Sequence, residues 1–141
     1  MSESERSPAP ARFSGCTVLI VEDETMVSFL LEDMLNDLGC AGVWHACSVR
    51  EALEVLQDRR PDAAVLDINL AGEFAYAIAE QLEAARVPFI FATGYGETGI
   101  RDRWRLHPVI QKPFQIEALA AALESVLDAK QASKSGEGAI P

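Results

Sequence analysis

The sequence predicts an α/β fold in which five parallel strands form a doubly wound sheet with five helical segments on its two faces. Short apolar runs alternate with segments whose apolar residues recur every three or four positions, as in amphipathic helices. The runs are continuously apolar, which is typical of parallel strands covered on both faces. With 141 residues, 49% of them hydrophobic, the chain has the length of one domain.

Five short apolar runs are the predicted strands. They span residues 16–21, 41–46, 62–67, 87–92 and 107–111. The first run, CTVLIV, has the β-branched composition of a buried strand. The hexapeptide INLAGE, which follows the third run, is predicted to be a loop.

The helical segments are predicted from their apolar periodicity. In the first, apolar residues recur from Val27 to Leu38, and Gly39 is the expected stop. Ser48 and Glu51 have the spacing of a capping box at the start of the second. The fourth, GETGIRDRWRLHP, is rich in glycine and is predicted to be short, poorly ordered and mobile without ligand.

Composition divides the chain into three parts. Residues 1–14 are rich in Ser and Pro and are predicted to form a disordered leader. Residues 15–130 are predicted to fold as the domain, and the polar residues 131–141 are predicted to be a disordered tail.

The charge balance excludes some classes of function. The formal net charge is -10, which disfavours binding to nucleic acid. No apolar run approaches the roughly 20 residues of a membrane span, so no membrane association is expected. The three cysteines lack CxxC spacing and no signal peptide precedes them, so reduced thiols and a cytoplasmic location are expected.

Polar side chains follow four of the five predicted strands. They are Glu22, Asp23, Asp67, Thr93 and Lys112. Singly, each has an ordinary explanation: a carboxylate can cap a helix, a lysine can be solvated and a threonine can simply belong to a strand. Parallel strands, however, carry their carboxyl ends to one edge, where ligands bind. Three carboxylates repel there unless a lysine and a divalent cation, most plausibly Mg²⁺, neutralise them.

These side chains suggest phosphoryl transfer. A carboxylate beside Mg²⁺ and an ammonium group is an oxygen nucleophile suited to accept a phosphoryl group. The product is an acyl phosphate, to which a nearby hydroxyl such as that of Thr93 can donate a hydrogen bond.

In this order and at these strand ends, the motifs resemble the receiver domain of two-component response regulators over about residues 17–130. The resemblance implies a CheY-like, flavodoxin-like sheet of order 2-1-3-4-5. It implies that Asp67 is the phosphoacceptor, Thr93 the switch hydroxyl and Lys112 the phosphoryl-binding ammonium. The implied Mg²⁺ ligands are Asp23, Asp67 and the backbone carbonyl of Asn69, with Glu22 acting mainly through water. The peptide bond before Pro113 is expected to be cis.

The sequence departs from most receivers at two places. No Met-Pro pair follows Asp67, and Val109 stands where most receivers have the strand-five aromatic that moves with the threonine. The run PFIFATGYGE resembles the signature of the FATGUY receivers, a subgroup associated with alphaproteobacteria and with HWE/HisKA2 histidine kinases. Tyr95, two residues after Thr93, is a candidate to tune phosphoryl lifetime or gate the site; the equal alternative is that it only packs on helix four.

The favoured function is that of a single-domain response regulator. A histidine kinase or phosphotransfer protein would phosphorylate it, and it would dephosphorylate itself rather than act as a conventional enzyme. It would signal to an unknown downstream protein through helix four, strand five and helix five, or act as a phosphate shuttle or sink, as a monomer or weak dimer. The alternatives are a phosphorylation-independent binding module and, last, an aspartyl phosphatase, which commonly needs an aspartate where Asn69 stands.

Overall fold

A computed structural model describes residues 13–70, 72–94, 104 and 107–139, and only the backbone of residues 73, 74 and 129–139. The strands are β1 (Thr17–Val21), β2 (Gly42–Ala46), β3 (Ala63–Asp67), β4 (Asn69–Leu70), β5 (Glu73–Phe74), β6 (Phe89–Thr93) and β7 (Val109–Gln111). The helices are α1 (Thr25–Asp37), α2 (Val49–Asp58), α3 (Tyr76–Ala84) and α4 (Ile116–Ala139).

Five strands form one parallel sheet in the order β2-β1-β3-β6-β7. Counted within this sheet alone, the order is 2-1-3-4-5, so the predicted flavodoxin-like fold is confirmed. The described connections between successive strands of this sheet contain the helices α1, α2 and α3, because a parallel pair needs a long crossover. The ends of β1, β3, β6 and β7 therefore lie along one edge.

The sheet is buried on both faces. Leu19, Leu66 and Phe91 point to one face and belong to a cluster that includes residues of α2 and α3. Their chain neighbours point to the other face, where Ile20 and Ile90 share a cluster with residues of α1 and α4. Both clusters are apolar, which explains why the strands are continuous apolar runs rather than alternating ones.

The helix starts differ in their capping. The Ser48 hydroxyl accepts a hydrogen bond from the backbone N–H of Glu51 at 3.1 Å, which confirms the predicted cap of α2. The Glu51 carboxylate bonds the N–H of Cys47, one residue before the expected partner. Helix α1 begins after Glu24, whose side chain makes no capping bond.

Local packing corrects three predictions made from sequence. The INLAGE segment is not only a loop, because β4 and β5 pair there as a small antiparallel hairpin. Phe13 belongs to the predicted disordered leader, but its side chain is buried in the core. Burial removes this large apolar ring from water. Helix α4 continues to Ala139, into the predicted disordered tail, because Ala, Lys and Gln in residues 129–134 favour helix.

A cluster of aromatic rings fills the space beside β6. Trp104 packs edge-on against Phe89 and Phe91, with ring centroids 5.9 and 6.3 Å apart, and His107 stacks on Phe89 at 4.5 Å. Trp104 is only 1% exposed. Most of the predicted fourth helix, and with it the predicted mobility of that segment, lies outside the described residues.

No helix in the described parts of the chain combines the length and apolar character that a membrane crossing needs.

Candidate functional site

The predicted polar side chains meet at the carboxyl edge of the sheet. Asp67 ends β3 and Thr93 ends β6, while Glu22 and Lys112 follow β1 and β7 directly. A solvent-open cavity of about 310 Å³ lies at this edge. Its lining residues are Asp23, Glu24, Asp67, Asn69, Gly72, Gly94 and Lys112.

Three carboxylates converge on this cavity. One oxygen each from Glu22, Asp23 and Asp67 lies within 4.8 Å of the other two. Glu22 and Asp67 are buried, whereas Asp23 is exposed. The alternative role of Asp23 as a helix cap is wrong, because the cap position of α1 belongs to Glu24. Oxygen donors at this spacing can share a hard divalent cation.

Lys112 provides the positive charge next to these carboxylates. Its Nζ lies 2.9 Å from Oε1 of Glu22 and donates a hydrogen bond to Oδ2 of Asp67 at 3.1 Å. The contact with Glu22 is an ion pair by distance but lacks hydrogen-bond angles, so Glu22 Oε1 has no hydrogen-bond donor among the described residues. The peptide bond between Lys112 and Pro113 is cis, the isomer that the resemblance to receivers implies.

Burial controls the protonation of these groups. Desolvation raises the pKa of Glu22 to about 7, although contact with Lys112 offsets part of the effect. Desolvation also raises the pKa of Asp67, against the attraction of Lys112. Burial alone would lower the pKa of Lys112, but its contacts with Glu22 and Asp67 outweigh this and the net shift is upward. One ammonium therefore does not fully compensate two buried carboxylates.

Asn69 organises the turn after Asp67. Its backbone N–H donates to Oδ1 of Asp67 at 3.3 Å, and its side-chain oxygen accepts from the N–H of Gly72 at 2.9 Å. Gly72 has φ +92°, a left-handed conformation that suits glycine. Asp67 makes this local contact without capping α3, because the cap residue of that helix is Ala75.

Thr93 lies beside the cavity but is only 6% exposed. The next residue, Gly94, is one of the residues that line the cavity. The backbone N–H of Lys112 donates to the Thr93 carbonyl at 2.9 Å, which ties the ends of β6 and β7 together. Tyr95 lies outside the described residues.

Sequence reasoning missed three residues that line the cavity, the glycines Gly72 and Gly94 and the charged residue Glu24. Its Oε1 lies 3.6 Å from Nζ of Lys112, and its side chain is 66% exposed. The available signal was its position directly after Glu22 and Asp23, where a third consecutive acidic residue follows the strand.

Comparison with known proteins decides the family. The model of the response regulator receiver domain matches residues 18–124, which is most of the chain. This chain belongs to the response regulator receiver domain family. It is therefore a receiver domain of two-component signalling, a class that in general interacts with histidine kinases or phosphotransfer proteins.

Individual relatives agree with this assignment. The chain is 32% identical to the sensory transduction protein LytT of Enterococcus faecalis over 88% of this chain and 50% of LytT. It is 31% identical to the phyllosphere-induced regulator PhyR of Methylorubrum extorquens over 85% of this chain and 46% of PhyR. The receiver thus spans about half the length of these two relatives.

Solved structures show the same likeness. The solution structure of SdrG from Sphingomonas melonis Fr1 has a TM-score of 0.70 and 40% identity, over 80% of this chain and 97% of SdrG. SdrG in its BeF3-activated conformation gives the same score and identity, over 81% of this chain and 98% of that one.

Proposed function

We propose that this receiver accepts a phosphoryl group on Asp67 from a histidine kinase or phosphotransfer protein. It then signals through a phosphorylation-dependent contact with another protein, or passes the phosphoryl group on as a shuttle or sink. The observation that carries this proposal is the hydrogen bond of 3.1 Å from Lys112 to Asp67, at a cavity edge where two other carboxylates converge.

The proposed reaction transfers one phosphoryl group. A carboxylate oxygen of Asp67 attacks the phosphorus of a phosphohistidine, the P–N bond breaks, and the bonding electrons and a proton end on the imidazole. The new P–O bond makes Asp67 an acyl phosphate. Lys112, already 3.1 Å from Asp67, is placed to pair with the phosphoryl oxygens as they arrive.

The site fits Mg²⁺. Glu22 and Asp67 are buried with one shared ammonium, and burial raises the pKa of both carboxylates, so a further cation would favour their ionised forms. Asp23, Asp67 and the carbonyl of Asn69 would hold the ion, with Glu22 acting through water. Bound there, Mg²⁺ would offset negative charge on the transferring phosphoryl oxygens.

The proposed switch residue is Thr93, whose hydroxyl would donate to the acyl phosphate. The aromatic residue that moves with this threonine in most receivers is absent. Its position, at the start of β7, is occupied by Val109, which is 42% exposed. The BeF3-activated conformation of SdrG, 40% identical to this chain, supports activation by a phosphoryl analogue here. Tyr95 is proposed to tune phosphoryl lifetime or to gate the site.

The proposed phosphodonor is a cytoplasmic kinase of the HWE/HisKA2 type. The support is the FATGUY-like run from Pro88 to Glu97 together with the likeness to SdrG and to the PhyR receiver. Helix α1, which begins at the cavity, exposes Met26 and Phe29 by 80% and 59%. These side chains offer an apolar contact for the donor beside the site.

The test is phosphorylation with acetyl phosphate and Mg²⁺. We expect a hydroxylamine-labile adduct of one phosphoryl group, mapped to Asp67 by mass spectrometry. Asp67→Asn should abolish it, whereas Asp62→Asn, at the opposite end of β3, should not. An intact wild-type protein that forms no adduct would instead indicate a phosphorylation-independent binding module.

A further inference from the structure

We propose that Glu24 lowers the reactivity of Asp67 toward small, multiply charged phosphodonors. This inference rests on the function proposed above and assigns a selectivity role to a residue that is neither the phosphoacceptor nor one of the proposed metal ligands.

The first argument is the position of the Glu24 carboxylate. Its Oε1 is 3.6 Å from Lys112, and the residue lines the same cavity as Asp67. Its side chain is 66% exposed, whereas that of Asp67 is 6% exposed. Glu24 therefore stands at the mouth of the cavity and Asp67 at its floor.

The second argument is the way the backbone holds Glu24 there. Its N–H donates to Oε2 of Glu22 at 3.1 Å, and its carbonyl accepts from the N–H of Ser28 at 3.0 Å. The residue occupies the N-cap of α1, yet its side chain makes no capping bond. Ser, Thr, Asp or Asn is preferred at an N-cap because a short side chain can reach back to the helix. Glu24 has a longer side chain, which extends toward Lys112 instead.

The third argument is electrostatic. Lys112 is within 4 Å of three carboxylates, those of Glu22, Asp67 and Glu24, so its charge is shared before any phosphodonor arrives. A small anionic donor that enters this cavity is repelled by the Glu24 carboxylate, which lines it. Because Glu24 is exposed, the repulsion acts through a water-like dielectric, and we expect an effect of about three- to tenfold on the rate for a dianion.

A protein donor is less sensitive to this repulsion. It gains binding energy from contacts spread over its surface, including exposed apolar side chains of α1 such as Phe29. Glu24 thus selects against free phosphodonor metabolites of the acyl phosphate class.

The experiment compares Glu24→Gln with a matched control, Glu54→Gln. The substitution keeps side-chain length and removes one charge; Glu54 is an exposed residue on α2 that pairs with Arg50. Phosphorylation rates are measured at saturating Mg²⁺, titrated separately for each protein. The donors are acetyl phosphate, a dianion at neutral pH, and phosphoramidate, which carries one negative charge fewer.

With acetyl phosphate at low salt, we expect Glu24→Gln to react about three to ten times faster than wild type, and Glu54→Gln to match wild type. The gain should be smaller with phosphoramidate and should shrink in about 1 M salt, where charges are screened within roughly 3 Å. Glu24→Ala should gain at least as much in phosphorylation rate as Glu24→Gln, because both substitutions remove the negative charge that slows the reaction.

Two results would overturn the role of Glu24. One is equal rates for wild type and Glu24→Gln; the other is a gain that is the same for both donors and independent of salt, which would indicate that Lys112 has moved. If wild type and both variants form no adduct at all, the proposed function fails together with this inference.

Discussion

Nζ of Lys112 lies 3.1 Å from Oδ2 of Asp67 and 2.9 Å from Oε1 of Glu22. One ammonium thus serves two buried carboxylates, and the third carboxylate of the group, Asp23, lies nearby. Negative charge at this edge exceeds positive charge, which costs stability while it prepares the site for a cation. Two of the predictions below follow from that imbalance.

Replacing Asp67 should stabilise the protein in the absence of Mg²⁺. Asp67→Asn removes a desolvated charge and leaves Lys112 paired with Glu22, so the free energy of unfolding at pH 8 should rise by about 1 kcal/mol or more. Urea denaturation followed by circular dichroism measures this, with Glu54→Gln as the control. A destabilised Asp67→Asn protein would show that the bond to Lys112 contributes more than burial costs.

Stability without Mg²⁺ should fall as the pH rises through the titration of Glu22. The pKa of Glu22 is about 7 in the folded protein, against 4.5 for an ordinary glutamate side chain, so between these values the folded state binds a proton that the unfolded state has lost. The loss should be at most about 3 kcal/mol between pH 4.5 and pH 7. Urea denaturation at several pH values in this range should show that the free energy of unfolding falls less with rising pH in Glu22→Gln than in the wild type. An equal fall in both proteins would contradict the prediction.

The half-buried imidazole of His107 should have the opposite pH dependence. Burial lowers its pKa, and the negative charge of Glu83 raises the pKa by a smaller amount. The Nδ1 atom has no hydrogen-bond partner within the described part of the chain. The unfolded state therefore binds a proton first, and this contribution to stability is lost as the pH falls below the ordinary value of 6.5. His107→Phe should keep the stacking on Phe89 and lose this dependence, as measured by urea denaturation between pH 5 and pH 7.5.

Truncating Trp104 should be among the most damaging changes in the core. Its ring is 1% exposed and contacts Phe89, Phe91 and His107, so Trp104→Ala should cost about 3–5 kcal/mol in unfolding free energy. Val109→Ala, at a 42% exposed position on β7, should cost much less. Similar losses in both variants would place Trp104 outside the core.

The sheet and the arrangement at its edge were predictable because parallel topology alone fixes where strands end. Asp67 and Lys112 are 45 positions apart, yet both follow apolar runs and so reach the same edge. The burial of Phe13 was not predictable in this way. An isolated aromatic in a polar stretch has no periodicity, and only the groove beneath it determines whether it packs.

The direction of side chains was the other feature that the sequence did not predict. In the sequence Glu24 is only the third of three consecutive acidic residues after a strand, and only the position of Lys112 shows where its carboxylate goes. The β4–β5 hairpin was missed because each of its strands has two residues, too few to show a pattern.

The packing of Trp104 on Phe91 gives the protein an optical probe of its own. Phe91 is two residues before Thr93 on β6, so a shift of that strand end alters the surroundings of the indole and hence its emission. The other tryptophan, Trp44, lies on β2 at the far edge of the sheet under Arg59. In a Trp44→Phe protein, fluorescence would report a movement of the end of β6 in real time, without any attached dye.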